Sequence, residues 1–274
     1  LISCFRIIRI KNAIWEYKEK IMAVSLKQLV NYCDSLLTPE KYRDYCPNGL
    51  QVEGRGEVRR IISGVTASQA LLDRAVELEA DLVLVHHGYF WKGEPEVVTG
   101  MKKRRLQTLL THDISLLAYH LPLDGHPQLG NNARLADKLG VSISGALEPD
   151  NPFSIGLTGR LERPLTAAEF SQHISTAMGR EVLHIDGGSE LITTVGWCTG
   201  AAQGYIDKAA ALGLDAFISG EISEPTVHSA RELGIHYFSA GHHATERYGV
   251  KALAELLQQE HNMDATFIDI DNPA

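Results

Sequence analysis

The stretch RIISGVTASQALLDRAVELEADLVLVHH, residues 60–87, decides the fold. Aliphatic and β-branched side chains fill residues 59–65 and 81–87, which predicts two buried strands. Between them, apolar residues recur at helical spacing over residues 69–80. A strand, a helix and a strand in this order predict a parallel pair, because parallel strands need a crossover connection of about this length.

The same alternation continues along the chain and then recurs in its second half. A helix starting near residue 105, a strand and then a loop follow at once in RLQTLLTHDISLLAYHLPLD, residues 105–124. Residues 193–221 then match residues 60–87 after a shift of 134 positions, which superposes Asp81 on Asp215. Two unrelated units of this kind could look alike by chance, but the shared polar positions favour an ancestral duplication. We therefore expect an α/β fold made of two related α/β lobes with mainly parallel sheets.

The composition shifts suggest where the lobes begin and end. We expect the first lobe at residues 22–125 and the second at residues 126–274, with an inserted segment at about 127–192. A helix at 242–257 should return side chains to a site that both lobes share. Residues 1–21 are expected to form an extra segment outside the domain, from an upstream start assignment or an added arm. An amphipathic membrane-surface segment is the alternative.

Two helix starts are marked by capping boxes, in which a hydroxyl residue is followed three positions later by Glu or Gln. Ser25 and Gln28 predict the start of the first helix of the domain. Thr166 and Glu169 predict the start of a helix inside the inserted segment.

The composition excludes several classes of protein. The net charge of −8 argues against a surface dedicated to nucleic acid. The four cysteines form no C-x-x-C pair, which fits a reducing cytoplasm better than a disulfide framework. No apolar run approaches the length of a membrane span. The chain also lacks a Walker loop, a Rossmann glycine fingerprint and a G-x-S-x-G elbow.

Histidines and acidic residues cluster where predicted strands end. His86 and His87 close a buried strand, although imidazole is costly to bury without a partner. The segment HLPLD ends in Asp124, and GHHATE places His242 and Glu246 four residues apart, on one helix face. An imidazole and a carboxylate on one face make a ligand pair for a divalent metal ion.

The adjacent histidines suggest a pair of metal ions. Successive strand residues point to opposite sides, so His86 and His87 can reach one region only where the chain turns, and Gly88 permits that turn. Asp124 and Glu246 are then the candidates to bridge two ions, which together can activate water.

The other candidates have plainer interpretations. Glu221, at the position equivalent to His87, is a weak site candidate, and Glu224 with His228 is expected to form a surface or interlobe pair. Phe90 and Trp91 fit either the core or a stacking surface. The remaining histidines are interpreted as hydrogen-bonded structural residues: His112, His126, His173, His184, His236 and His261.

At this point five segments resemble a known family. They are CPNGLQVEG, GVTASQALLDRAVELEADLVLVHHGYFWKGE, HLPLDGHPQLGNNARLADKLG, GEISEPTVHSARE and GHHATERYGVKAL. Together they are similar to the GTP cyclohydrolase I type 2-like family of dinuclear metal proteins, also called the NGG-interacting-factor-three-like family, and most of all to its bacterial YbgI branch. The resemblance is collinear and runs from about Met22 onward.

The resemblance implies two metal ions per chain inside a ring-shaped homohexamer. Their identity stays open among Fe, Zn, Mn and Ni, since mixed His and carboxylate ligands suit all four. His120 would lie near the metals as an acid or base, and His243 would support the ligands. The implied metal ligands are His86, His87, Asp124, His242 and Glu246.

Three functions follow from this resemblance. The first is a metal-dependent hydrolase resembling GTP cyclohydrolase I type 2 homologues, acting on a purine nucleotide or related substrate, with Lys92 near its phosphates. The second is a non-enzymatic carrier of metal or metallocofactor, and the third is a ring-shaped scaffold. Nucleic acid is not expected as a primary partner, and no membrane association is expected.

Overall fold

The computed structural model describes residues 22–274, and the segment predicted at residues 1–21 lies outside the described residues. The predicted α/β fold is confirmed. The strands are β1 (Val24–Ser25), β2 (Gly49–Val52), β3 (Glu57–Val58), β4 (Arg60–Thr66), β5 (Leu82–His87), β6 (Ser115–Ala118), β7 (Ser142–Ala146), β8 (Leu157–Thr166), β9 (Leu183–Ile185), β10 (Leu191–Cys198), β11 (Ala216–Ser219), β12 (His236–Ser239) and β13 (Asp264–Phe267). The α-helices are α1 (Leu26–Leu37), α2 (Gln69–Glu77), α3 (Gly100–Thr111), α4 (Leu121–Gly125), α5 (Asn131–Leu139), α6 (Ala167–Met178), α7 (Ile206–Ala211), α8 (Glu224–Leu233) and α9 (His242–His261).

Two larger sheets and a short two-stranded ribbon organise these elements. The first sheet has the order β13-β4-β5-β6-β2, with β2 alone antiparallel to its neighbour. The second has the order β7-β8-β10-β11-β12-β9, with β10, β11 and β12 parallel. Strands β1 and β3 form the ribbon. Both sheets are therefore parallel at their centre and antiparallel at one or both edges.

The first sheet is covered on both faces, which explains the uninterrupted apolar run of β5. Leu82 and Leu84 pack in a core cluster with α1 and α9. Val83 and Val85 pack in a second cluster with α2 and α3. Because alternate residues of a strand point to opposite faces, only a strand buried on both sides requires every residue to be apolar.

The predicted repeat extends to residue-by-residue strand pairing. Ile61 lies opposite Leu82 in the β4–β5 pair, and Val195 lies opposite Ala216 in the β10–β11 pair. Both members of the second pair follow the first by 134 positions, the shift that aligns the two halves of the sequence. The two strand–helix–strand units are thus equivalent in register as well as in order.

Equivalent aspartates accept backbone hydrogen bonds at the start of each unit. Oδ2 of Asp81 accepts hydrogen bonds from the backbone amides of residues 59 and 60, at 2.7 and 3.0 Å. Oδ2 of Asp215 accepts the corresponding bonds from residues 193 and 194, at 2.9 and 2.8 Å. The matching Asp positions in the sequence therefore reflect a shared structural role.

The chain returns to the first sheet after β12. Helix α9 packs on β4 and β5, and β13 pairs in parallel with β4, placing Asp264 opposite Arg60. The pairing of β13 with β4 places the last strand in the sheet of the first lobe. The lobe boundary between residues 125 and 126 stays a prediction.

Two local features differ from the sequence prediction, while both capping boxes are confirmed. Helix α3 begins at Gly100 rather than near residue 105. The segment after β6 was predicted as a loop but forms α4, because Pro122 fits a first helical turn and the carbonyl of His120 accepts bonds from the amides of Leu123 and Asp124. No helix within residues 22–274 is both long and apolar enough to cross a membrane.

We expect Asp81→Ala and Asp215→Ala each to lower the free energy of unfolding by about 1–3 kcal/mol, because each leaves two strand amides without their charged acceptor. Urea denaturation measures the change. Asp207→Ala is the control, since Asp207 is exposed on α7. If the Asp81 and Asp215 variants were as stable as this control, the stabilising role of these backbone hydrogen bonds would be wrong.

Candidate metal centre

Strand ends from both sheets face one cavity. Thr66 and His87 close β4 and β5, and Thr199 follows β10; all three line a cavity of about 550 Å³. Helix α9 begins at the same cavity with His242, and Glu246 lies one turn further on. Carboxyl ends of parallel strands are the usual place for a site in such folds, because strand-to-helix connections open there.

The predicted ligands fall into two groups of three that share one carboxylate. In the first group, Nε2 of His86 lies 3.5 Å from Oδ1 of Asp124 and 3.7 Å from Oε1 of Glu246. In the second group, Nε2 of His87 and Nε2 of His242 each lie 3.1 Å from Oε2 of Glu246. Each group has the composition and spacing to hold a metal ion. Mixed His and carboxylate donors suit divalent transition metals.

One carboxylate oxygen of Glu246 has no aligned hydrogen bond. The residue is 2% exposed, and within residues 22–274 its Oε2 has no hydrogen-bond donor in suitable geometry, although two imidazole nitrogens lie 3.1 Å away. A buried charge without partners costs several kcal/mol. A cation bound between the imidazoles and this oxygen would supply the missing interaction, so the residues present fit a metal ion.

Neighbouring groups orient three of the predicted ligands. Nδ1 of His86 lies 2.9 Å from the carbonyl oxygen of Tyr119, which leaves Nε2 directed to the centre. Oδ1 of Asp124 accepts a 2.8 Å hydrogen bond from the side-chain amide of Asn131. Nδ1 of His242 lies 2.7 Å from Oε1 of Glu221, the weak candidate of the sequence analysis. Partners of this kind fix the tautomer and direction of metal-binding imidazoles.

His120 lies beside the ligands and is held by a residue that the sequence analysis missed. Its ring nitrogens lie within reach of His86 and His87, in a third group spaced for metal binding. Nδ1 of His120 is 2.7 Å from Oδ1 of Asp44, and Oδ2 of Asp44 accepts from the amide of Leu121. Burial alone would raise the pKa of Asp44, but the hydrogen bond and charge of His120 bring it to about 2. Asp44 precedes the recognised CPNGLQVEG segment and shows no pattern of its own.

Other predicted residues lie further out. His243 turns away from the centre and places Nε2 at 2.7 Å from Asp269. Lys92 is exposed and is absent from the residues that line the cavity. Trp91 does line it, with its ring centre 5.0 Å from that of His120. His228 forms the predicted surface pair with Glu224, at 3.1 Å.

Burial and charge set the protonation of the ligands. Burial lowers the pKa of His87 to about 4, so this imidazole is neutral at pH 7. Burial opposes the charge on His86 and His242 as well, but nearby carboxylates raise the pKa of each to about 9. For His86 these are Asp124 and Glu246, and for His242 they are Glu246 and Glu221. Burial raises the pKa of Asp124, while the surrounding imidazoles hold that of Glu246 well below its usual value.

Comparison with known families now identifies the chain. A model of the Duf34/NIF3 (NGG1p interacting factor 3) family matches residues 24–273. The chain therefore belongs to this family, and the resemblance noted in the sequence is confirmed.

Several relatives match over nearly their whole length. A protein of Pseudomonas aeruginosa named GTP cyclohydrolase 1 type 2 homolog is 60% identical over 253 residues, covering 92% of this chain and 100% of the relative. A protein of the same name from Escherichia coli K12 is 54% identical over 250 residues, covering 91% and 98%. The solved structure of the protein YbgI is 52% identical, with a TM-score of 0.88 and coverage of 92% and 100%. The structure of TTHA1606 from Thermus thermophilus is 34% identical, with a TM-score of 0.83 and the same coverage.

A divalent cation that binds this centre must displace the protons that His86 and His242 carry at pH 7. Because both pKa values are about 9, raising the pH removes the competing protons, and the affinity should increase from pH 6 to pH 9. We expect about a tenfold increase per pH unit for each proton displaced. Calorimetric titration with Mn²⁺ in two buffers of different ionisation enthalpy counts the protons released. An affinity that stayed constant over this range would contradict the assignment.

Proposed function

We propose that this member of the Duf34/NIF3 family is a metal-dependent hydrolase with two divalent metal ions per chain. The observation that carries the proposal is the position of Glu246, which belongs to both ligand groups and whose Oε2 has no aligned hydrogen-bond donor among the described residues. One carboxylate can join two ions because each of its oxygens has free lone pairs. His86, Asp124 and Glu246 would hold one ion, and His87, His242 and Glu246 the other.

Two adjacent ions, when bound, would activate water and stabilise negative charge that develops on the substrate. The protein's own contribution is to hold the ligands rigidly in a largely buried position. His86 has no exposed surface, and Asp124 and Glu246 are 5% and 2% exposed. The more exposed His242 opens toward the cavity, from which a substrate would approach.

His120 is the group we assign to proton transfer. Asp44 accepts the hydrogen on Nδ1, so Nε2 remains free to take up a proton from water or to return one to the leaving group. The backbone also fixes the pair, since the amide of His120 donates to Oδ1 of Asn48 and the amide of Leu121 donates to Oδ2 of Asp44. A carboxylate that fixes the tautomer and orientation of a catalytic imidazole is a recurring arrangement in hydrolases.

The cavity suits a planar substrate. Tyr45, Trp91 and Tyr205 line it together with Leu121 and Ile155, so flat aromatic surfaces surround the entrance to the metal ligands. The relatives' name, GTP cyclohydrolase 1 type 2 homolog, suggests a purine nucleotide or related ring. Lys92 directly follows Trp91 and would meet phosphates outside the cavity.

We also propose a ring-shaped homohexamer. Val97, Val98 and Met101 are large apolar side chains that are 65%, 51% and 56% exposed, at the end of the loop that follows His87 and the start of α3. Clustered exposed apolar side chains are typical of subunit contacts.

The molar mass of the protein in solution should be about six times the 30.2 kDa of one chain. A monomer at micromolar concentration would refute the ring.

Glu246→Gln should abolish binding of both ions, because the neutral amide cannot balance two cations. Elemental analysis of protein purified without chelators or an affinity tag should give about two more metals per chain for the wild type than for the variant. Glu224→Gln is the matched control, since Glu224 also lies four residues from a histidine, His228, but on an exposed helix face. Far-UV circular dichroism verifies that each variant is folded.

The same proteins separate the three functions. Metal-dependent turnover of a purine nucleotide or its base, lost in Glu246→Gln, supports the hydrolase. Two metals that exchange readily to a chelator, with no turnover across the nucleotide panel, would instead identify a carrier. If wild-type protein held no metal after anaerobic reconstitution, the metal centre would be wrong and a scaffold role would replace it.

Asp44→Asn tests the role of His120. The neutral amide of Asn is a weaker acceptor for the Nδ1 hydrogen of His120 than the carboxylate of Asp44. The imidazole therefore loses its fixed tautomer. We expect kcat to fall about 10²- to 10⁴-fold, the pH–rate profile to change shape, and the metal content to stay the same. A fall in metal content that matched the fall in activity would show that Asp44 only supports the ligands.

A further inference from the structure

A second group of metal-binding side chains lies at the opposite end of the second sheet. His184 is on the edge strand β9, His236 begins β12, and Asp186 follows β9 directly. The metal centre described above lies beyond the other end of β12, where Gly241 precedes His242. From the sequence, both histidines are interpreted as hydrogen-bonded structural residues, because neither belongs to a doublet and a lone histidine is more often hydrogen-bonded than metal-bound.

The three donor atoms have the spacing of metal ligands. Nε2 of His184 lies 3.1 Å from Nδ1 of His236, and Oδ1 of Asp186 lies 3.3 Å from the same Nδ1. All three lie within 4.8 Å of one another. Ligands of a tetrahedral Zn²⁺ ion, each at about 2.0–2.1 Å, are separated by about 3.3 Å. Two of the three donor separations therefore already match those around a bound ion.

Both imidazoles are held in the required direction. Nε2 of His236 lies 2.8 Å from the carbonyl oxygen of Ser189, which needs a hydrogen on Nε2 and leaves the lone pair on Nδ1. The ring of His184 stacks on that of Phe238, with ring centres 4.6 Å apart and planes 13° apart. An imidazole that donates its second N–H to a backbone carbonyl is the usual form of a metal ligand.

The loop that carries Asp186 is fitted closely around His236. A side chain at Gly188 would collide with the His236 ring, and one at Gly187 would collide with the carbonyl of Ala230. The two glycines thus let the backbone approach the imidazole, and they bring Asp186 and the Ser189 carbonyl to opposite sides of it. Asp186 itself is 82% exposed at the side chain, so the cluster is open to solvent.

We propose that His184, Asp186 and His236 bind one Zn²⁺ ion, which ties the edge strand β9 and the following loop to β12. A solvent molecule would occupy the fourth position of the ion. A direct hydrogen bond from Nε2 of His184 to Nδ1 of His236 is the competing arrangement, and it would give the same distances without metal. The proposal does not rest on the function assigned to the first centre.

Zinc binding in a His242→Ala background tests the proposal, because this change weakens the first centre and leaves the second intact. Folded protein is dialysed against a buffer of fixed micromolar free Zn²⁺ and analysed for metal. We expect that adding His184→Ala or Asp186→Asn removes one equivalent of Zn²⁺ per chain. His228→Ala is the control, since His228 is an exposed histidine beside a carboxylate on α8.

Asp186→Asn is the decisive variant, because its exposed side chain can be changed without disturbing the core. Co²⁺ in place of Zn²⁺ should give a visible absorption band of four-coordinate geometry that Asp186→Asn weakens and Glu246→Gln leaves in place. The proposal is overturned if Asp186→Asn and His184→Ala bind as much Zn²⁺ as the control. If Glu246→Gln were the only variant to lose metal, the result would contradict the second site and support the first.

Discussion

The carboxylate of Glu246 constrains how helix α9 docks on the first sheet, because it is buried and one of its oxygens has no aligned hydrogen-bond donor in the part of the chain that the structure describes. Such a group is tolerated only where opposite charge surrounds it. The imidazoles of His86 and His242 provide that charge at pH 7, with the neutral imidazole of His87 beside them, and these residues come from two separate parts of the chain. Helix α9 must therefore dock against the end of β5, and strand β13 then completes the first sheet beside β4.

The two repeated units contribute to this centre in different ways. In the first unit, Thr66 ends β4 and its hydroxyl lies 3.2 Å from Nδ1 of His87. The equivalent position in the second unit is Gly200, where any side chain would collide with Glu246. The first unit thus supplies side chains, whereas the second supplies space for the carboxylate. The equivalent positions His87 and Glu221 also differ in role. His87 faces Glu246, whereas Glu221 orients His242.

Sequence patterns predicted the parts of this structure that depend on local periodicity. The run that ends in His86 and His87 identified a strand buried on both faces, and the spacing of His242 and Glu246 identified a helix start. Residues whose role comes from a long-range contact gave no such signal. Asp44 reaches His120 across 76 positions, and His184 reaches His236 across 52. No period of 2 or 3.6 residues relates such pairs, so only the folded chain brings them together.

The route of the chain also determines when the centre can form during protein synthesis. A nascent chain that has emerged only as far as β12 already contains His86, His87 and Asp124, but it lacks both ligands of α9. At that stage β4 is an edge strand with an open row of backbone groups, because β13 has not yet paired with it. Open edges of this kind are prone to pair with other chains. The residues that follow β12 therefore close the exposed sheet and complete the ligand set together, so neither is achieved until the ribosome has released α9 and β13.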